Sequence, residues 1–250
     1  MIMNGVTGRF SEVSSFVKSH PDSKLGCLLD TSILFSASYD LDAFNTDTAK
    51  VVNSLVDLEV PIYTTYNVRS EFLELHRRII IPECLVDFLE DLGKELKPEL
   101  VMDLTSMRTQ LRKANAEGKL FRLQDQKIKF YRSALASYRN GEHDGWAGFC
   151  RNYLHEKIAR VWDTAVELLG LNFIGLRSDE HDTVLSGKPS WKGTTDLVGR
   201  FGIGSVDALI LDVFFNSKFL FLLTSDRDMA YCIETAKHPN RYVFLPDSLT

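Results

Sequence analysis

The chain has 250 residues, 44% hydrophobic and 25% charged, enough to bury a core as one domain with a large insertion or as two small domains. A formal net charge of -5 excludes a generally basic nucleic-acid binder, so any such surface must be a local patch. Cys27, Cys84, Cys150 and Cys232 form no CxxC pair and read as reduced thiols of a cytoplasmic protein, neither a zinc site nor a disulfide frame. The start of the chain carries no long apolar run of a signal peptide, and Phe219 to Leu223 is far too short to span a bilayer.

Residues 1–24 read as a polar lead-in with one short helix. Leu25 to Leu29 then runs apolar into Asp30, as in a buried strand of a parallel sheet. A helix begins within 32–38, and 48–58 forms another, with Val51, Val52, Leu55, Val56 and Leu58 as its apolar stripe. Val60 to Thr64 is the next strand, and Asn67 caps a helix reaching about Arg78. From about 82 to 170 the chain reads as mostly helical. Leu85, Phe88, Leu89, Leu92 and Leu96 recur at helical spacing, Pro98 opens a further helix, and Gly118, Gly141 and Gly170 fall where helices stop. Residues 171–176 suit a strand, and 178–204, rich in glycine, suit a loop that includes Trp191 and the approach Gly202-Ile203-Gly204. A helix over 205–216, a strand over 219–224, a helix over 228–236 and a strand over 242–245 complete the chain. Strand and helix alternate at both ends, so the fold class is α/β with a parallel sheet. The expected organisation is a lead-in (1–24), an α/β domain (25–78 with 200–250) and a helical insertion ending in a loop (79–199).

Asp30 and Asp226 follow predicted buried strands, on the edge where open parallel sheets bind ligands. Asp207 opens an apolar helix, and Glu71 lies early in the helix after the second strand. Gathered carboxylates repel one another, and a divalent cation removes the conflict; oxygen-only ligands favour magnesium or manganese. Taken singly, Asp30 and Asp226 also suit helix caps, and Glu71 and Asp207 suit first-turn partners of a helix dipole. Asp212 falls five residues after Asp207, on another face. Glu74 is a second choice for the place of Glu71. The run Asp179 to Asp182 reads as a solvated loop.

In order along the chain these residues resemble the motifs of PIN-domain nucleases. Leu28-Leu29-Asp30-Thr31-Ser32 is similar to the first motif, Val68 to Leu73 to the helical Glu motif, and Ser205 to Ile210 to the third acid. Leu223-Thr224-Ser225-Asp226-Arg227-Asp228 is similar to the final Thr-x-Asp-x-Asp. The resemblance spans roughly 24–78 and 200–245, and the long helical stretch between Glu71 and Asp207 departs from compact members of the family. It implies a PIN-like α/β/α sandwich with a central parallel sheet, and metal-dependent hydrolysis of RNA. It implies Asp30, Glu71, Asp207 and Asp226 as catalytic metal ligands, Asp228 as an auxiliary one, and Thr31 and Thr224 bonded to the carboxylates. Many members are toxins, so an antitoxin or another protein partner stays open, as does a homo-oligomer.

Such a nuclease needs no protein nucleophile: metal-activated water attacks phosphorus in line and leaves a 5′-phosphate. A non-catalytic RNA-binding or scaffolding module of the same fold is the alternative. A HAD-like phosphatase is disfavoured because Ser32 stands where its second Asp belongs, and a metal-adhesion Asp-x-Ser-x-Ser fails at Leu34. No Walker A, H-E-x-x-H or G-x-S-x-G motif is present. Between 108 and 139 lie Arg108, Arg112, Lys113, Lys119, Arg122, Lys127, Lys129, Arg132 and Arg139 against Glu117 and Asp125, a local excess of +7. Phe121, Phe130, Tyr131 and Tyr138 are interleaved. Phosphate contacts and aromatic stacking together suit single-stranded RNA, whereas a solvated helix face with inward aromatics would give the same pattern.

Overall fold

The computed structural model describes residues 7–140, 144–174 and 183–250. Gly141 and the Asp179 to Asp182 run lie outside these residues. The strands are β1 (Thr7–Arg9), β2 (Cys27–Leu29), β3 (Ile62–Thr65), β4 (Asn172–Ile174), β5 (Phe221–Leu223) and β6 (Tyr242–Leu245). The helices are α1 (Val13–Ser19), α2 (Thr31–Ser38), α3 (Asn45–Asp57), α4 (Tyr66–Leu92), α5 (Pro98–Ala116) and α6 (Asp125–Leu135). They continue with α7 (Gly145–Phe149), α8 (His155–Leu169), α9 (Trp191–Phe201), α10 (Ser205–Asn216) and α11 (Arg227–Ala236). Among the described residues no helix is long and apolar enough to cross a membrane.

The chain divides into two compact units, one of Met1–Phe72 with Ala165–Thr250, the other of Leu73–Thr164. The first holds a six-stranded sheet in the order β1-β6-β5-β2-β3-β4, with every neighbouring pair parallel. The fold is therefore α/β. Its boundaries depart from those expected. The lead-in is no appendage, because Thr7 to Arg9 form an edge strand paired with β6. Residues 165–174 and 183–199 do not belong to the helical unit either, since β4 pairs with β3 and α9 packs on α10.

β2 and β5 are buried on both faces, which is why they read as unbroken apolar runs. The Phe16 ring lies 5.6 Å from Phe221, 4.8 Å from Tyr242 and 5.1 Å from Phe244, fastening α1 to the two strands. Gly26, just before β2, has φ 137°, and a Cβ there would stand 2.8 Å from the Pro61 carbonyl and 2.6 Å from the Tyr63 ring. That carbonyl accepts the Cys27 N–H at 3.0 Å, so glycine lets β2 close on β3.

Two expected helix boundaries are absent. Asn67 does not cap α4: the helix starts at Tyr66, and Thr65 Oγ1 accepts the Val68 N–H at 3.3 Å. Nor does the helix end near Arg78, for it continues through Pro82 to Leu92. Proline removes the N–H that would reach the carbonyl four residues back, here Arg78. The Leu123 N–H takes that carbonyl at 3.0 Å instead, so a contact distant in sequence closes the gap. The predicted loop 178–204 contains α9, capped by Ser190 Oγ, which accepts the Gly193 N–H at 3.0 Å. Trp191 is the first residue of that helix and is 78% exposed, not tucked against the body.

In the second unit the Leu85, Phe88, Leu89, Leu96 periodicity does mark a core, joined by Leu104, Met107, Tyr131 and Phe149. Phe88 takes edge contacts from Tyr138, Phe149 and Tyr153 at 5.5 to 5.6 Å.

Candidate functional site

The strand order places the site. From β2 the chain builds outward through β3 to β4, then returns to the other side of β2 for β5 and β6. The order reverses between β2 and β5, and at such a switch point the loops leaving two adjacent strands diverge and open a crevice at their carboxyl ends. Asp30 follows β2 and Asp226 follows β5, strands in register at Leu28 with Leu222 and Leu29 with Leu223.

Hydrogen bonds tie these loops together. Asp30 is 4% exposed; its Oδ1 accepts the Thr31 N–H at 2.6 Å, and its Oδ2 accepts hydroxyls of Ser32 at 2.7 Å and Thr224 at 2.8 Å. Thr224 Oγ1 in turn accepts the Asp226 N–H at 2.9 Å. Ser32 Oγ accepts the Ser225 N–H at 3.0 Å, bridging the two strand-end loops a second time. Thr31 Oγ1 donates to Glu71 Oε2 at 2.6 Å, which draws the second turn of α4 to the same end of the sheet. Asp226 Oδ1 accepts the Asp228 N–H at 2.7 Å.

Asp30 and Asp226 are thus helix caps, for α2 and α11, and this is no rival to a site role. A carboxylate offers about four lone-pair directions, and capping uses one of them.

The electrostatics join the fourth acid to the group. Burial, opposed by the hydrogen bonds of Ser32, Thr224 and Thr31 and reinforced by the charge of Glu71, raises the Asp30 carboxyl above its usual range. Asp207, in the first turn of α10, is pushed up to about 6 by burial and then by the charges of Asp30, Asp226 and Glu71. Asp30, Asp226 and Glu71 therefore each lie within electrostatic reach of Asp207. Asp228 is exposed in the first turn of α11. Burial, followed by the charges of Asp228, Asp226 and Asp207, lifts the Cys232 thiol to about 11.

Oxygen donors on a partly desolvated anionic site suit a hard divalent cation. Among the described residues, however, no group of three or more acidic, histidine or cysteine side chains is arranged to hold a metal ion as it stands. Asp30 and Glu71 are turned onto hydroxyls, Asp226 onto a backbone N–H, and Asp207 back onto the Gly204 N–H.

The other candidates separate from this group. Glu74 is spent on Arg77 and Arg78, and those hydrogen bonds hold its carboxyl below the usual range despite partial burial. Asp212 is 5% exposed and accepts the Ser190 N–H at 2.6 Å and the Asn216 amide at 3.1 Å. A Cβ at Gly193 would stand 2.3 Å from its Oδ1, so the small residue admits the carboxylate that braces α9 against α10. Ser32 was missed as a positioning residue; its signal was a hydroxyl two residues past a strand-end Asp, the usual reach of an Asx or Ser turn.

The basic run is less free than its count implies. Arg108 and Arg112 face Glu90 at 3.8 and 3.6 Å, and Lys113 and Lys119 both face Glu117. Lys127 binds Asp103 at 2.6 Å, while Asp125 is held by Arg77 and Arg78. Lys129 and Arg132 are exposed on α6, as is Arg122 in the preceding loop. The aromatics are not a stacking row: Tyr131 is fully buried, Phe121 and Tyr138 pack partly into the core, and Phe130 is 47% exposed.

Comparison with protein-family models, curated proteins and solved structures finds no match to this chain.

Proposed function

We propose that the chain is a divalent-metal-dependent ribonuclease of the PIN-like type, with its first unit an α/β/α sandwich and its catalytic end at the β2–β5 switch point. The observation that carries this reading is Asp207, whose pKa is raised to about 6 by burial and then by the charges of Asp30, Asp226 and Glu71. Natural proteins seldom gather four partly buried like charges without a counter-charge to hold, and perturbed carboxylates at a switch point mark functional sites.

In this reading Asp30, Glu71, Asp207 and Asp226 hold magnesium or manganese, with Asp228 as an outer ligand. When bound, the cation supplies charge neutralisation for a phosphodiester and an acidified water. The chain's own groups position the ligands. Ser32 and Thr224 fix the Asp30 carboxylate, Thr31 aims Glu71, and the Asp228 N–H aims Asp226. Burial of Asp30 strengthens every charge interaction by lowering the local dielectric.

The test is labelled single-stranded RNA incubated with magnesium, manganese or EDTA, with p-nitrophenyl phosphate alongside. Cleavage to 5′-phosphate ends with either metal and none in EDTA is the expected result. RNA that is bound but never cut would replace the nuclease with a binding module. Release of p-nitrophenol with intact RNA would replace it with a phosphatase.

A further inference from the structure

The second unit contains a cavity of about 280 Å³ between α5, α6 and the loop that joins them. Its size suits one small ring system rather than a helix or a chain segment. The floor is a fixed polar network: Asp103 accepts Lys127 Nζ at 2.6 Å and the Tyr131 hydroxyl at 2.5 Å. Burial pushes the Asp103 carboxyl up, but the bonds from Lys127 and Tyr131 outweigh it and leave the acid ionised. The floor is therefore charged yet internally balanced. Phe121 and Met107 supply an apolar wall, and Gln110, Gln124 and Arg122 stand exposed at the rim.

The two amides distinguish this cavity from a packing defect. Neither Gln110 nor Gln124 uses its side chain within the described residues, and Gln124, although the N-cap of α6, makes no capping bond with it. Each presents a donor beside an acceptor, the complement of a nucleobase edge. The loop carrying Phe121, Arg122 and Gln124 is anchored where Leu123 bonds the carbonyl that Pro82 leaves open on α4. Its position is held by backbone, independently of any ligand. Lys129, exposed on α6, offers charge to a phosphate of the bound strand.

We infer that this cavity receives one unstacked base of single-stranded RNA, with Phe121 against its face and Gln110 and Gln124 on its edge. Unpaired RNA bases are recognised in this manner, by stacking on aromatic or guanidinium planes and by hydrogen bonds to their edges. The inference rests on the reading of the chain as an RNA-acting protein, and it assigns base preference to the helical unit, apart from the acidic site.

The experiment is equilibrium binding of fluorescent oligo(A), oligo(C), oligo(G) and oligo(U) in EDTA, for wild type and the Gln110→Ala/Gln124→Ala variant. Both residues are exposed, so the variant should fold; circular dichroism and an unchanged melting midpoint check this. Wild type is expected to separate the best from the worst homopolymer by roughly tenfold. The variant should reduce that spread to about twofold while keeping the same salt slope, because no phosphate contact is lost. Equal affinity of wild type for all four homopolymers, or an undiminished spread in the variant, would overturn the inference. Pocket-dependent binding without cleavage in metal would uphold it and fail the nuclease. Cleavage with no pocket dependence would do the reverse. No RNA binding by wild type would fail both.

Discussion

The two units handle charge in opposite ways. In the second unit, acids and bases find each other: Glu74 and Asp125 hold Arg77 and Arg78, Asp103 holds Lys127, and Asp87 holds Lys157. At the switch point of the first, burial disfavours the charged form of Asp207, and the charges acting on it are all of its own sign. Paired surface charge contributes little to stability and implies nothing about function. Like charge retained at a cost in stability implies a role that the cost serves. Removing Asp207 from the first unit and Glu74 from the second should therefore act in opposite directions.

The largest effect is expected at Asp30. Asp30→Asn keeps shape but turns one acceptor oxygen into a donor amide and removes ligand charge, so metal-dependent RNA cleavage should fall by about 100-fold or more. The fold should survive, since Ser32 and Thr224 are hydroxyls able to turn and accept from the new amide. Wild-type cleavage rates in a folded variant would remove Asp30 from the mechanism.

Next comes Asp207. Its folded pKa of about 6 exceeds the ordinary 3.8, so between those values the native state binds more protons than the unfolded state. Without metal, stability should thus fall as pH rises from about 4 to 6 and stay lowered above that. Asp207→Asn should flatten this dependence and raise the melting midpoint at pH 7 by about 2–4 °C, or roughly 1 kcal/mol once solvent screening of the half-buried group is allowed for. A lower midpoint at pH 7 would mean that the acid is structurally paired.

Glu74→Gln is the counterpart in the second unit. Its folded pKa is depressed, so its contribution is present above the unfolded value of 4.5 and lost as pH falls through the folded one. The variant should be less stable at pH 7 by about 0.5 kcal/mol, the usual size for exposed pairs. A gain in stability would abolish the contrast between the units.

Smallest in stability is Arg112→Ala/Lys113→Ala/Arg122→Ala, expected within about 0.5 kcal/mol of wild type. Its effect belongs in binding: weaker RNA affinity and a flatter salt slope, with cleavage at saturating RNA little changed. Identical slopes would make the basic run a solvated, paired face.

What was legible in the sequence follows from where the information lies. β2, β5 and α10 are read correctly because each is continuous in sequence and buried, with its acid at the end. β1 escapes because a three-residue edge strand, Thr7–Arg9, has too little apolar pattern to announce itself. α9 escapes because Gly193 and Gly199 resemble a loop, whereas Asp212, distant in sequence, demands the glycine it packs against. Pro82 signals a break that Leu123 repairs from another segment. The +7 excess of the basic run overstates its freedom because Glu90 and Asp103 lie outside the counted window. Residue order nominates the four acids; their hydroxyl bracing and the coupling at Asp207 depend on tertiary placement.

The central claim is that the four carboxylates form one cation site, and titration calorimetry with manganese on wild type and Asp30→Asn tests it most directly. Wild type should bind manganese saturably at pH 7 and more weakly at pH 5, where protons occupy Asp207, while Asp30→Asn should bind poorly at both. No saturable binding to wild type at pH 7, or an unchanged isotherm in Asp30→Asn, would contradict the account.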